Sequence, residues 1–285
     1  MTLEQADPII ATVVRAPAKR RPAGPPDWLI AGLALTYVVA LAALAFWPGA
    51  SLLDRLRTLD GGICAQIPSH TLIIGGQYLP LCSRNTGIYM GFISTFLFLA
   101  ASGRLRAAFL PGKWVAVALG IAVLFMAEDG FNSLFLDLRL PHLYQPHNLL
   151  RLFSGLGTGV AMAAFIVPVA NTLLWRVEDE RSSFGSLRAW APLIPVLLLV
   201  FLLVGEVQAP ALLYPIAILS TAGVVIALSL INVVLVLGVA NHSGRFQTWR
   251  QFFPVYTLAV ALAIVELLAL FALKTRLMGG MTMPM

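Results

Sequence analysis

The sequence predicts an all-α integral membrane protein, a bundle of about seven transmembrane helices, and three observations carry that prediction. Its 285 residues are 59% hydrophobic and 11% charged, against about a quarter charged in an ordinary soluble domain. Mean hydropathy is +0.86, which leaves too few polar residues to build a wetted surface. Apolar runs of the length that crosses a bilayer, about 20 residues, recur along the chain, closed by charged or Pro/Gly segments.

Residues 1–27 hold Arg15, Lys19, Arg20 and Arg21 and run through Pro17, Pro22, Pro25 and Pro26, a composition that predicts a disordered basic tail. Span one, Trp28 to Trp47, is too long and too far from the start for a signal-peptide core. Further spans are predicted near 86–102, 114–136, 149–174, 192–207, 213–239 and 255–273. The count falls to six if the segments flanking Pro210 form one broken helix. Residues 28–273 then make a single transmembrane domain, and 274–285 a C-terminal tail.

The net charge of +6 is distributed in the manner of the positive-inside rule. With the N-terminus cytoplasmic, the inner segments collect Arg15, Lys19, Arg20, Arg21, Arg104, Arg106, Lys113, Arg176, Arg181, Arg188, Arg245 and Arg250. Arg55, Arg57, Arg84, Arg139, Arg151, Lys274 and Arg276 fall outside, so a cell-membrane protein with an outer C-terminus is expected. No clustered basic face with interleaved aromatics is present, which excludes a nucleic-acid partner. Trp28, Trp47, Trp114, Trp175 and Trp190 all stand at run ends, where indoles anchor in the headgroup layer.

The longest connection, Pro48 to Asn85, is apolar enough to dip into the outer interface. Irregular backbone survives at that depth only when packed on protein or lining a wet cavity, so a structured outer loop between spans one and two is predicted, covering the mouth of the bundle. Cys64 and Cys82, the two cysteines of the chain, lie in it. An oxidising compartment would allow a disulfide between them; two inert thiols are the plainer reading. Completion of a metal site by His70, His142 and His147 is a third, although their spacing matches no metal motif. No metal and no cofactor are expected.

Span two opens Ser83-Arg84-Asn85-Thr86-Gly87-Ile88-Tyr89-Met90-Gly91, and span four opens Asn148-Leu149-Leu150-Arg151 before Gly155 and Gly159. Asn148, Arg151, Gly155 and Gly159 share one helical face, and the glycines let a neighbouring backbone come close, so spans two and four are expected to be neighbours. Both run inward from the outer side, bringing two helix N-termini and two arginines together in a way that suits an anion. Span three runs the other way and carries Glu128, Asp129 and Asn132 about 20 Å above its start, at 1.5 Å per residue. Arg84, Glu128, Asp129, Asn132, Asn148 and Arg151 therefore form one predicted polar cluster, with Asn85 and Tyr89 beside Arg84. Its plainer reading is helix-to-helix glue, pairing Asp129 with Arg151 and Glu128 with Arg84. Glu128 and Glu266, the latter midway through span seven, are candidate proton carriers, while Glu206 reads as an interface-seeking side chain.

Gly155-x-Gly157-x-Gly159 is no dinucleotide fingerprint, because no strand precedes it, and no Walker loop, HExxH or GxSxG occurs. The run Cys64-Ala65-Gln66-Ile67-Pro68-Ser69-His70, then Gly75-Gly76-Gln77, then Leu79-Pro80-Leu81-Cys82-Ser83-Arg84-Asn85-Thr86-Gly87, resembles the bacterial and archaeal membrane-protein family catalogued as domain of unknown function 2085. Asp129-Gly130 and Asn148-Leu149-Leu150-Arg151 resemble its second motif, and the resemblance covers about residues 55–175. The family often has a His after its first cysteine and a further cysteine just beyond the arginine, where this chain has Ala65 and Asn85. Those departures weaken a metal-binding or redox role carried over from the family, and the resemblance implies no activity.

Three functions fit these residues. In the first, the outer mouth binds an anionic or polar ligand, a lipid headgroup or small solute, for transport or lipid handling. The second is an intramembrane enzyme acting on a lipid-linked or thiol substrate, and the third a non-catalytic subunit of a membrane complex or homo-oligomer. Membrane lipids are partners in all three.

Overall fold

The computed structural model describes residues 26–46, 50–207, 209–239, 244 and 246–277. The predicted basic tail up to residue 25, Trp47, Arg245 and residues 278–285 lie outside the described residues.

Helices dominate the fold. They are α1 (Asp27–Phe46), α2 (Leu52–Asp60), α3 (Ser83–Ala101), α4 (Lys113–Asp137), α5 (Asn148–Leu174), α6 (Leu187–Trp190), α7 (Leu193–Gly205), α8 (Leu213–Val239) and α9 (Trp249–Leu277). Four helical segments among the described residues are long and apolar enough to cross a membrane: Lys113–Asp137, Asn148–Leu174, Pro210–Gly238 and Trp249–Leu277. The segments flanking Pro210 are two helices, not one. α7 stops at Gly205, after 13 residues, and a short 3-10 turn at Pro210–Leu212 leads into α8, in keeping with proline's place at helix starts. α9 runs on to Leu277, so Lys274 and Arg276 are helical rather than part of a tail.

Residues 50–82, which precede α3, carry local structure of their own. Ser51 and Asp54 cap α2 reciprocally, and its buried Leu53, Leu56 and Leu59 pack toward α8 and α9. A two-stranded hairpin follows, β1 (Ile73–Ile74) against β2 (Gln77–Tyr78). Its turn holds Gly75 and Gly76 at φ +58° and +78°, a conformation that favours glycine. Gln66 ties the segment together by donating to the carbonyls of Arg57 and Pro80, both at 2.8 Å.

α3 and α5 make the most extensive helix pair. A Cβ on Gly155 would fall on the carbonyl oxygen of Arg84, and one on Gly159 on that of Ile88. The two backbones are therefore in direct contact, the approach small residues permit between apolar helices.

At the far end of α3 and α5, strands β3 (Ala107–Phe109) and β4 (Asp179–Ser182) pair in parallel. Trp175 is 1% exposed, so it is not the interface anchor its position suggests. Its indole donates to Asn171 Oδ1 at 2.9 Å, and the Arg106 guanidinium lies 3.9 Å above its ring. A cavity of about 300 Å³ opens here, walled by residues such as Phe96, Leu174, Phe252 and Tyr256. Asn171, the one amide on its wall, is spent on Trp175 and on the carbonyls of Leu105 and Ala107. The cavity is apolar, and neither Arg84 nor Arg151 lines it.

Candidate functional site

Arg84 sits in the first turn of α3 and Arg151 in that of α5, because the glycine contact sets the two helix starts at one level. From α4, whose last turns rise alongside, Asp129 reaches between them. Arg84 Nη2 contacts Asp129 Oδ2 at 2.5 Å, the Asp129 carbonyl at 3.1 Å and Ser133 Oγ at 3.1 Å. The Asp129 side chain is wholly buried, and Tyr144 donates its hydroxyl to Oδ1 at 3.1 Å.

Arg151 is 4% exposed. Its guanidinium donates to Asn148 Oδ1 at 2.8 Å and weakly to Ser133 at 3.4 and 3.5 Å. Among the described residues, no carboxylate forms an ion pair with it. Asp129 thus pairs with Arg84 and not with Arg151, and Glu128 is reached by the Tyr144 hydroxyl at 3.4 Å rather than by Arg84. Arg84 Nε is also buried without a hydrogen-bond partner. The site holds two guanidiniums, one buried carboxylate and an unsatisfied donor.

The predicted residues separate into two groups. Arg84, Asp129, Asn148 and Arg151 come together, with Glu128 beside Tyr144. Asn132 stands among them but is spent structurally: Oδ1 accepts from the Leu143 and Tyr144 amides at 2.7 and 3.4 Å, and Nδ2 donates to the Tyr144 carbonyl at 2.9 Å. Asn85 and Tyr89 face elsewhere. One residue on from Arg84 along the helix, Asn85 lies on the side of the cysteines, close enough to Cys64 to lower its pKa, and Tyr89 packs beside Cys64, Cys82 and Leu267. Glu266 joins neither group and accepts from Asn232 Nδ2 at 2.9 Å.

Cys64 and Cys82 are free thiols in contact, with the Cys82 amide donating to Cys64 Sγ at 3.2 Å and the Gln66 amide at 3.4 Å. No group of three or more His, Cys, Asp or Glu positioned for a metal occurs among the described residues.

Several contributors escape sequence reading. Ser133 bridges the two arginines, and Tyr144 comes from the connection after α4. His70, from the folded segment before α3, meets Asp137 at 3.3 Å while its carbonyl accepts from Ser83. Asn148 Nδ2 reaches the Ser69 carbonyl at 3.2 Å, so this segment roofs the arginines. Burial and the nearby Arg151 charge lower the His70 pKa below its usual value. Ser133 and Tyr144 carry no local motif. The one available signal was their shared end of the bundle.

A family model described as predicted membrane protein (DUF2085) matches residues 64–165. An uncharacterised protein of Methanothermobacter thermautotrophicus is 30% identical over 115 residues, which is 39% of this chain and 91% of that protein. The chain belongs to the DUF2085 family. A second relative, an uncharacterised protein of Methanocaldococcus jannaschii, is 27% identical over 114 residues, 40% of this chain and 67% of its own length. No solved structure matches. The DUF2085 match runs from Cys64 past Arg151, so it spans the cysteines, both arginines and Asp129. α7, α8 and α9 lie beyond it.

Proposed function

We propose that this membrane protein binds an anionic group between Arg84 and Arg151, at the outer side of the bilayer. The observation that carries the reading is Arg151, 4% exposed and joined to no carboxylate among the described residues. A buried cation without a counter-charge costs several kcal/mol, and an anion would remove that cost. The arginine fork suits a phosphate or carboxylate in particular. Asn148 holds Arg151, Asp129 orients Arg84, and Asn132 supports the site through the Tyr144 connection.

The arrangement is that of a seven-span protein in which α1, α3, α4, α5, α7, α8 and α9 cross the bilayer. In it the N-terminus is cytoplasmic, the C-terminus outside, and the segment from α2 to β2 forms an outer roof. Labelling a Thr275→Cys variant in a Cys64→Ser, Cys82→Ser background in intact cells with a membrane-impermeant maleimide tests the orientation, and protection until lysis would refute it. Membrane lipids surround the bundle and supply the natural source of an anionic headgroup, whether for lipid handling or for transport.

Native mass spectrometry of the purified chain with phosphatidic acid, phosphatidylcholine and inorganic phosphate tests the binding. Retention of phosphatidic acid by the wild type and its loss in Arg151→Gln are expected. Equal retention by both proteins would defeat the proposal.

A further inference from the structure

A second group of buried chemistry lies on the other face of α3, apart from the arginines. Cys64 and Cys82, eighteen residues apart, meet through the 3.2 Å contact of the Cys82 amide with Cys64 Sγ. One turn before Cys64, at the end of α2, Asp60 is wholly buried, and the Cys64 amide donates to the Asp60 carbonyl at 3.0 Å. Asp60 Oδ2 accepts from Thr221 Oγ1 at 2.7 Å, while Oδ1 is buried with no partner. The remaining polar and charged groups facing this pocket are Asn85 and Tyr89 of α3, Lys274 of α9, and, toward Cys82, Arg84. Lys274 Nζ is occupied with the carbonyls of Gly61 and Cys64, at 3.2 and 2.8 Å.

We propose that Cys64 and Cys82 are a redox-active pair that exchanges two electrons with a dithiol/disulfide couple, and that Asp60 takes up a proton when the pair is reduced. In the reduction, a thiolate of the incoming dithiol attacks the Cys64–Cys82 disulfide at Cys82 Sγ, on the more exposed of the two residues. The S–S bond breaks and Cys64 leaves as a thiolate, received by the amides of Gln66 and Cys82. The second thiol of the reductant attacks the reductant's own sulfur in the mixed disulfide, closing it as a cyclic disulfide and releasing Cys82. Two electrons pass from the reductant to the pair, and its two protons end on Cys82 and Asp60.

The geometry gives each residue a reason for its part. A low-pKa thiol leaves fastest in such exchange, and the hydrogen bonds on Cys64, led by the one from Cys82, hold its thiol at about 6. Cys82 moves the opposite way, upward, and keeps its proton. A thiolate appearing beside an ionised, unpaired carboxylate would place two negative charges in apolar surroundings. Burial, with Cys64 adding to it, pushes the Asp60 carboxyl up to about 8, so near neutral pH it holds the proton while Cys64 does not.

The test is to equilibrate the full chain in nanodiscs with mixtures of reduced and oxidised dithiothreitol at pH 6, 7 and 8, trap thiols with maleimide and read the mass. The wild type should show one two-thiol transition whose exchange constant is nearly level with pH. In Asp60→Asn the proton is released instead, and the constant should rise about tenfold per pH unit, about 30 mV for two electrons. Parallel pH slopes in the two proteins, or cysteines that stay alkylatable at every ratio, would overturn the proposal. Infrared difference spectra of the wild type supply a reading that needs no variant: a protonated-carboxyl C=O band should grow on reduction, and its absence counts against Asp60.

Discussion

Arg84 Nη2 lies 2.5 Å from Asp129 Oδ2, a contact between residues forty-five positions apart that ties α3 to α4, a helix packed mainly on α5. Arg151, in the first turn of α5, is left to Asn148 and Ser133. This asymmetry lets stability and binding be separated by mutation.

Asp129→Asn would strand Arg84 without its counter-charge at a mostly buried position. The expected cost is about 3 kcal/mol, read as a lower thermal midpoint of the detergent-purified chain. Arg151→Gln removes a charge that no carboxylate balances, so it should melt close to the wild type while losing phosphatidic acid. A larger stability loss in Arg151→Gln than in Asp129→Asn would contradict the pairing.

Gly159→Ala would set a methyl group onto the Ile88 carbonyl, and overpacking of this kind costs about 1–3 kcal/mol. Gly120→Ala makes a matched control, since a Cβ there meets nothing within 4 Å, and the better helix former should leave stability unchanged or slightly raised. Chemical denaturation of the two variants in the same detergent decides the matter.

Asn132→Ala releases three hydrogen bonds to the backbone of Leu143 and Tyr144. Amide exchange across residues 138–147 should quicken, with a global loss of about 2 kcal/mol for the three bonds together, each worth roughly 0.5–1.5 kcal/mol net. Unchanged exchange there would show that the connection is held by other means.

His70 gives the roof a pH dependence. Its folded pKa is lowered, first by burial and then by Arg151, so the folded state binds the proton less tightly than the unfolded chain does. The contribution of neutral His70 is therefore present above the unfolded value, about 6.5, and is lost as pH falls below it. Thermal midpoints measured between pH 7.5 and 5.5 should decline less steeply in His70→Asn than in the wild type.

The sequence by itself determined the class of protein, since solvent chemistry forbids so apolar a chain a soluble surface. It also determined that Arg84, Asp129, Asn148 and Arg151 share one end of the bundle, because helix rise and span direction fix depth, and that α3 and α5 touch, because their glycines leave room for it. Tertiary structure alone decided which arginine Asp129 satisfies, for two candidates at one depth differ only in how the helices are rotated. Rotation also turned Asn85 and Tyr89 away to the cysteines and spent Asn132 on a connection. Asp60, an unremarked acid at the end of a short helix, acquired its surroundings only when α2 packed against Thr221 of α8, 161 residues away. Periodicity reports the depth and face of one helix, whereas a partner's identity depends on contacts between helices that no local pattern encodes.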